Sequence, residues 1–400
     1  MTRIGFAYNE KPESTPASQP ATDAVAADPE PPSTRRDSDS RNFHSGPSTP
    51  FAANGGGTAL VAPTVDDAYA EWDSPQTIDA VASALAAYGE VVRLEATADF
   101  PQRLRDARPD IVFNIAEGLH GPNREAHVPA ICEFYGIPYS GSDPFTLSLC
   151  LQKGRTKQML DASGVPTAGF ALIESEADLV ALAEGRHPQG VRAQLRLPLF
   201  LKPVQEGSSK GITERNLVRD TGELLARGRE LLTLYAQPVL AEEFLPGAEF
   251  TCGVLGNGDA ARVLPLVGIR FDTLPDGAVP IYGFEAKWLW DTPEHPLEIF
   301  ECPARVSDDL RREIEDVTLR AYRALGCRDW SRIDVRLDAA GRANVIEINP
   351  LPGILPDPAE NSCLPKAARA AGLSYDELIQ ACLVHAAERQ GVVLQRRIVP

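Results

Sequence analysis

Two short segments near the carboxy-terminal end carry residues able to hold a hard cation. Ser331-Arg332-Ile333-Asp334-Val335-Arg336-Leu337 and Asn344-Val345-Ile346-Glu347-Ile348-Asn349-Pro350 read as strands, joined by the turn-rich Asp338-Ala339-Ala340-Gly341-Arg342. Strand side chains alternate faces, so Arg332 and Asp334 share one side. Glu347 and Asn349 point the same way, opposite to Ile346 and Ile348. A hairpin therefore gathers two carboxylates, an amide and a guanidinium. Such oxygen donors suit Mg²⁺ (or Mn²⁺), which keeps waters and shares its shell with substrate phosphates. A solvated face on an amphipathic hairpin gives the same pattern, and the two segments alone leave both readings open.

Upstream lie groups suited to anions. Pro198-Leu199-Phe200-Leu201-Lys202-Pro203 reads as a buried strand ending in a lysine, followed by the small-residue loop Glu206-Gly207-Ser208-Ser209-Lys210-Gly211-Ile212. Glycines let backbone N–H groups approach a phosphate, although a flexible surface turn looks similar. Val239 to Thr251 has the order strand, acidic turn, strand, and Glu285-Ala286-Lys287-Trp288 adds a lysine in an aromatic setting.

The elements that position these groups begin with a strand at Arg3–Tyr8. Ser74 caps a helix through Ala80, Val81, Ala84, Leu85 and Tyr88, closed by Gly89. Strands at Val91–Leu94 and Ile111–Ile115 follow, separated by a short helix. Residues 9–63 are rich in Pro, Ser, Thr, Ala, Asp and Gly, a composition that buries too little apolar surface to offset ordering, so disorder is expected. Four hundred residues suit two or three domains. The net charge of −17 argues against nucleic acid or an anionic membrane as main partner. No apolar run reaches membrane-span length, and no signal pattern opens the chain. The seven cysteines lack CxxC spacing, which fits reduced thiols in a cytoplasmic protein. Cys252 and Cys302, in or beside apolar segments, read as structural.

In this order the motifs resemble the ATP-grasp superfamily, and within it the D-alanine–D-alanine ligases. The resemblance covers residues 65–390. It rests on Gly136–Ser142, Lys153-Gly154-Arg155-Thr156-Lys157, Lys202, the Glu206–Ile212 loop, the acidic hinge, Glu285-Ala286-Lys287, Arg332-Ile333-Asp334, Glu347-Ile348-Asn349 and Pro352-Gly353. It implies an α/β protein with an amino-terminal α/β (pre-ATP-grasp) domain and two α+β lobes clasping ATP. The first domain would span 1–8 and 64–152, interrupted by the 9–63 insertion. The central lobe would span 153–245 and the carboxy-terminal lobe 246–390, with a tail at 391–400. The implied activity is ATP-dependent joining of two amino acids through an acyl phosphate, D-alanine being the expected substrate in peptidoglycan precursor synthesis. A ligase for other amino acids or a specialised peptide, and a non-catalytic nucleotide-binding regulator, are the alternatives. A homodimer is left open.

The resemblance also implies roles. Lys153 and Lys202 would hold ATP phosphates under Ser208, Ser209 and neighbouring amides, with Lys287 near the transferred phosphoryl group. Glu242, Phe244 and Leu245 would form the adenine hinge, and Glu249 would bind ribose. Asp334, Glu347 and Asn349 would bind the metal. Arg332 and the Gly353 N–H would support the oxyanion. Asp73, in Ala70-Glu71-Trp72-Asp73-Ser74, would receive the first substrate's amine, and Ser362 the second's carboxylate. Three departures fall where substrates are chosen. Trp288 stands where these ligases carry tyrosine, the run Glu117–Glu125 differs, and Pro356–Glu360 lengthens a loop.

Overall fold

A computed structural model describes residues 2–12, 69, 71–186, 195–290 and 297–396, without the side chains of 288 and 289. Three sheets organise them. In the first, β1 (Thr2–Tyr8) lies between β2 (Gly89–Glu95) and β3 (Ile111–Asn114), all parallel. Ile4, Phe6, Ile111 and Phe113 are fully buried there. The helix Pro75–Leu85 covers the sheet, with Ser74 Oγ accepting from the Thr77 N–H at 3.2 Å.

Gly89 does not close that helix, which ends at Leu85. It opens β2 instead, because a β-carbon there would meet the Thr2 carbonyl oxygen at 2.1 Å. The low-complexity stretch also starts later than expected. Asn9 is buried, its amide donating to the Ala96 carbonyl and its oxygen accepting from the Gly118 N–H, and Glu10 bridges to Asp73. The rest of the expected insertion, from residue 13 on, lies outside the described residues.

The second sheet is antiparallel: β4 (Phe170–Ile173), β7 (Val239–Glu243), β5 (Leu199–Pro203) and β6 (Leu217–Val218), in that order. The helices Glu176–Ala183 and Thr221–Tyr235 bury Leu179, Leu224 and Leu231 against it. Glu242 and Glu243 belong to β7 itself, so the acidic pair expected in a turn sits on a strand.

The third sheet runs β11 (Phe300–Glu301), β10 (Val267–Ile269), β8 (Glu249–Leu255), β12 (Trp330–Leu337) and β13 (Ala343–Asn349), with β9 (Arg262–Val263) beside β8. The helix Asp308–Ala324 packs Ile314, Val317 and Ala321 under it. Trp330 meets Phe113 edge to face at 5.2 Å, joining the first and third sheets through one core. Among the described residues no helix is long and apolar enough to cross a membrane.

Candidate active site

The expected hairpin forms. Arg332 pairs with Asn349, and Asp334 with Glu347, across β12 and β13. After Asp334 the register slips by one residue at Ile346. This bulge sends Val345 into the core and turns Ile346, expected beside Ile348, toward the cleft. On the other edge Thr251 of β8 donates to Asp334 Oδ1 at 2.8 Å, and Arg332 lies 3.1 Å from Oδ2.

The polar face opens on a cavity of about 390 Å³ lined by the second and third sheets and by residues outside the strands of the first, among them Glu71, Asp73 and Glu117, a size suited to a small-molecule site. Every residue expected at the site lines it except Trp288, whose side chain lies outside the described residues.

At one end, cations and carboxylates interlock. Lys153, at the start of the helix Lys153–Ala162, bonds the Glu206 carbonyl at 2.6 Å and Glu347 Oε1 at 2.9 Å. Lys202 and Lys157 clasp the two oxygens of Glu242 at 2.5 and 2.7 Å, all three buried. The sequence assigns Lys157 no role, yet it lies four residues after Lys153, on the same helix face. Burial works against ionising Glu347, but Lys153 and Lys202 hold its carboxyl down at about 2. The same contest leaves Glu242 below its ordinary value, won by Lys157 and Lys202. Burial outweighs Arg332 at Asp334 and raises it. Burial, then Arg332, pushes Lys287 down to about 8.

Among the described residues no three His, Cys, Asp or Glu side chains form a metal cage. The donor set on the hairpin nevertheless fits a magnesium-like ion that takes most ligands from phosphates and water. Glu347 is ionised, Asp334 faces it, and the buried Asn349 amide nitrogen lacks a partner. Turning that amide end for end presents its oxygen.

Phe244 and Leu245 line the wall after β7, where the Arg336 guanidinium lies 4.8 Å from the Phe244 ring centre. Arg336 also occupies Glu249 Oε2 at 2.8 Å. Over this end lies the glycine loop, with Ser208 and Ser209 at φ 50° and 60°, each a left-handed conformation that costs about 1–2 kcal/mol without glycine. The Ser209 hydroxyl donates to the Tyr282 carbonyl at 3.2 Å.

The other end is acidic. Burial alone lifts Asp73 to about 7. Burial, opposed by Arg124 and reinforced by Glu71, lifts Glu125 to about 7, and burial with Glu125 and Glu71 raises Glu117 well above the usual range. Glu71 behaves oppositely. Arg124 donates to both its oxygens at 3.2 and 3.0 Å, Lys210 lies 3.4 Å away, and together they overcome burial. Glu71, Arg124 and Lys210 had no expected role; the signal was Glu71's place two residues before Asp73. Ser362 Oγ donates to the Gly353 carbonyl and accepts from the Leu355 N–H, both at 3.1 Å, so its proton is engaged in fastening that loop.

Residues 159–384 match the family model described as D-ala D-ala ligase C-terminus. The D-alanine–D-alanine ligase of Bordetella petrii is 36% identical over 286 residues, covering 70% of this chain and 78% of the relative. The enzyme of the same name from Actinobacillus succinogenes is 35% identical over 272 residues, 68% of this chain and 79% of the relative. Among solved structures, the Bacillus anthracis D-alanine–D-alanine ligase complexed with ATP superposes with a TM-score of 0.63 at 19% identity, covering 98% of this chain and 99% of that one. The VanG D-Ala:D-Ser ligase of Enterococcus faecalis gives 0.62 at 19%, covering 96% and 99%. Their fold is the ATP-grasp fold, and this chain has it. With more than half of its length matched by the family model, the chain belongs to the D-alanine–D-alanine ligase family.

Proposed function

We propose that the protein is an ATP-dependent, ADP-forming ligase that joins two D-alanine molecules. The observation that carries this reading is the convergence, in one cavity, of Lys153, Lys202 and Lys287 with the facing pair Asp334 and Glu347. Residues 1–8 with 64–152, 153–245 and 246–390 would serve as its three working units.

Lys153, Lys202 and the amides of the Glu206–Ile212 loop hold the phosphates, while the strand end at Glu242, Phe244 and Leu245 meets the adenine and Glu249 the ribose. Asp334, Glu347 and Asn349 would hold Mg²⁺, which supplies neutralisation of charge on the transferring phosphoryl group. The first amino acid's carboxylate displaces ADP to give an acyl phosphate, and the second's amine then displaces phosphate. Arg332 and the Gly353 N–H meet the oxyanion formed at the acyl carbon. Positioning and electrostatics carry both steps.

Asp73 receives the first amine. Glu71 is already neutralised by Arg124 and Lys210, whereas Asp73 offers an acceptor that becomes anionic near neutrality. A second reading, a ligase for other amino acids, is favoured by the acidity of this end. There Glu71, Asp73, Glu117 and Glu125 outnumber Arg124 and Lys210, an imbalance that an additional cationic group on the substrate would relieve. The test is an ATP-hydrolysis screen of the purified protein against D- and L-amino acids, singly and in pairs, with the product weighed by mass spectrometry. D-alanyl-D-alanine as main product supports the first reading, and a basic D-amino acid in the product supports the second. ADP release independent of any amino acid contradicts both.

A further inference from the structure

The glycine loop is fastened by side chains from distant parts of the chain. At its root Arg124 bonds the Gln205 carbonyl at 3.1 Å, and Lys153 bonds that of Glu206. Farther along, Lys210 bridges Glu206 and Glu71, 3.4 Å from each. The backbone at Gly207 runs so close to Glu71 that a β-carbon would stand 1.9 Å from Oε1. Glu71 is thus gripped by Arg124 on its own domain and by Lys210 on the loop. These side chains are 13%, 11% and 17% exposed, so water screens them less than an open surface pair. Beyond Gly207, Ser208 and Ser209 keep a left-handed backbone that side-chain-bearing residues abandon unless the surroundings impose it.

We infer that Lys210 is a positioning residue, whose pairing with Glu71 straps the glycine loop shut over the phosphate end of the cavity. The strap joins the loop to the domain that carries Asp73, so closing the phosphate cover and completing the amino-acid end are one event. Its consequence is coupling: a loop held shut keeps water from the activated carboxyl group until the second amine arrives. The inference rests on the reading of this loop as a phosphate cover.

The full-length protein tests it in two ways. Hydrogen exchange at the backbone amides of 207–212, without nucleotide, reads the strap directly. The ratio of ADP formed to dipeptide formed reads its use. Lys210→Met keeps the apolar stem and removes the charge; it is expected to speed that exchange by about tenfold and to raise the ratio severalfold, with exchange elsewhere unchanged. Lys210→Arg is expected to restore both. Gly207→Ala, which displaces the Glu71 carboxylate, is expected to mimic Lys210→Met with the lysine intact. Wild-type exchange in Lys210→Met, or a Lys210→Arg protein as loose as Lys210→Met, would overturn the strap. Titration of the wild type with ATP keeps the two ideas apart. If ATP fails to bind while Lys210→Met still loosens the loop, the strap stands and the phosphate-cover reading falls.

Discussion

The two ends of the cavity handle buried charge in opposite ways. At the phosphate end two buried acids have lysine partners: Glu242 sits between Lys157 and Lys202, and Glu347 against Lys153. The protein has prepared this end, holding these two carboxylates ionised with its own lysines. At the amino-acid end Glu71 alone is matched, and Asp73, Glu117 and Glu125 are pushed toward their neutral forms by burial. A prepared end suits a ligand that is the same in every turnover. In the proposed reading, an end short of cations receives the ammonium group of its substrate, and specificity is decided there.

The sharpest way to break this contrast is at Glu347. Glu347→Gln keeps the shape and removes the charge; kcat should fall by roughly 10³-fold or more, with an unchanged circular dichroism spectrum. Phosphate release at the wild-type rate would remove Glu347 from the phosphate end. Next comes Glu242→Gln, which strands two buried lysines. Breaking a buried pair costs about 3–5 kcal/mol, so the urea midpoint should drop clearly. A midpoint within error of wild type would mean that the lysines relax into water.

Acidity at the other end sets a pH profile. Asp73 must lose its proton to receive an ammonium group, and Lys287 must keep its own. The kcat/KM for the amino acid should therefore rise through about 7 and fall above about 8. Asp73→Asn should flatten the acid limb, and Lys287→Arg should move the alkaline limb upward; limbs that survive both changes belong to other groups. The linkage to folding has a definite sign. Because the folded value lies above the ordinary 3.8, the stability Asp73 contributes is present below that value and lost as pH rises through about 7. The smallest effect is expected at position 288. Trp288→Tyr should shift the kcat/KM ratio between D-alanine and bulkier acceptors toward D-alanine, within the roughly 10–200-fold range that a methylene-sized difference allows. An unchanged ratio would mean that Trp288 does not face the acceptor.

Legibility in the sequence divides along the same line. The hairpin, the lysine-ending strand and the glycine loop are local, so alternation and spacing expose them, and they are the parts of the phosphate end. The bulge at Ile346 escaped because it depends on cross-strand register, which no single strand encodes. Lys157 stood in a recognised segment, but it lies on a helix and its partner Glu242 on β7, far along the chain. The cluster at the amino-acid end is assembled from separations of 53 residues for Glu71–Arg124 and 139 for Glu71–Lys210. Only the folded chain shows that Glu71 is occupied by Arg124 and Lys210, while burial alone acts on Asp73. Gly89 misled for a related reason: a glycine after a helix reads as its end, whereas here it serves a close approach to β1.

On the proposed function, the cavity activates a carboxyl group with ATP before an amine attacks it. Supplying D-alanine labelled with ¹⁸O in its carboxyl group, with ATP and Mg²⁺, and weighing the released phosphate tests this directly. Transfer through an acyl phosphate moves one carboxyl oxygen to each phosphate as the dipeptide forms, so label in phosphate should match product mole for mole. Dipeptide accompanied by unlabelled phosphate would rule out the acyl phosphate.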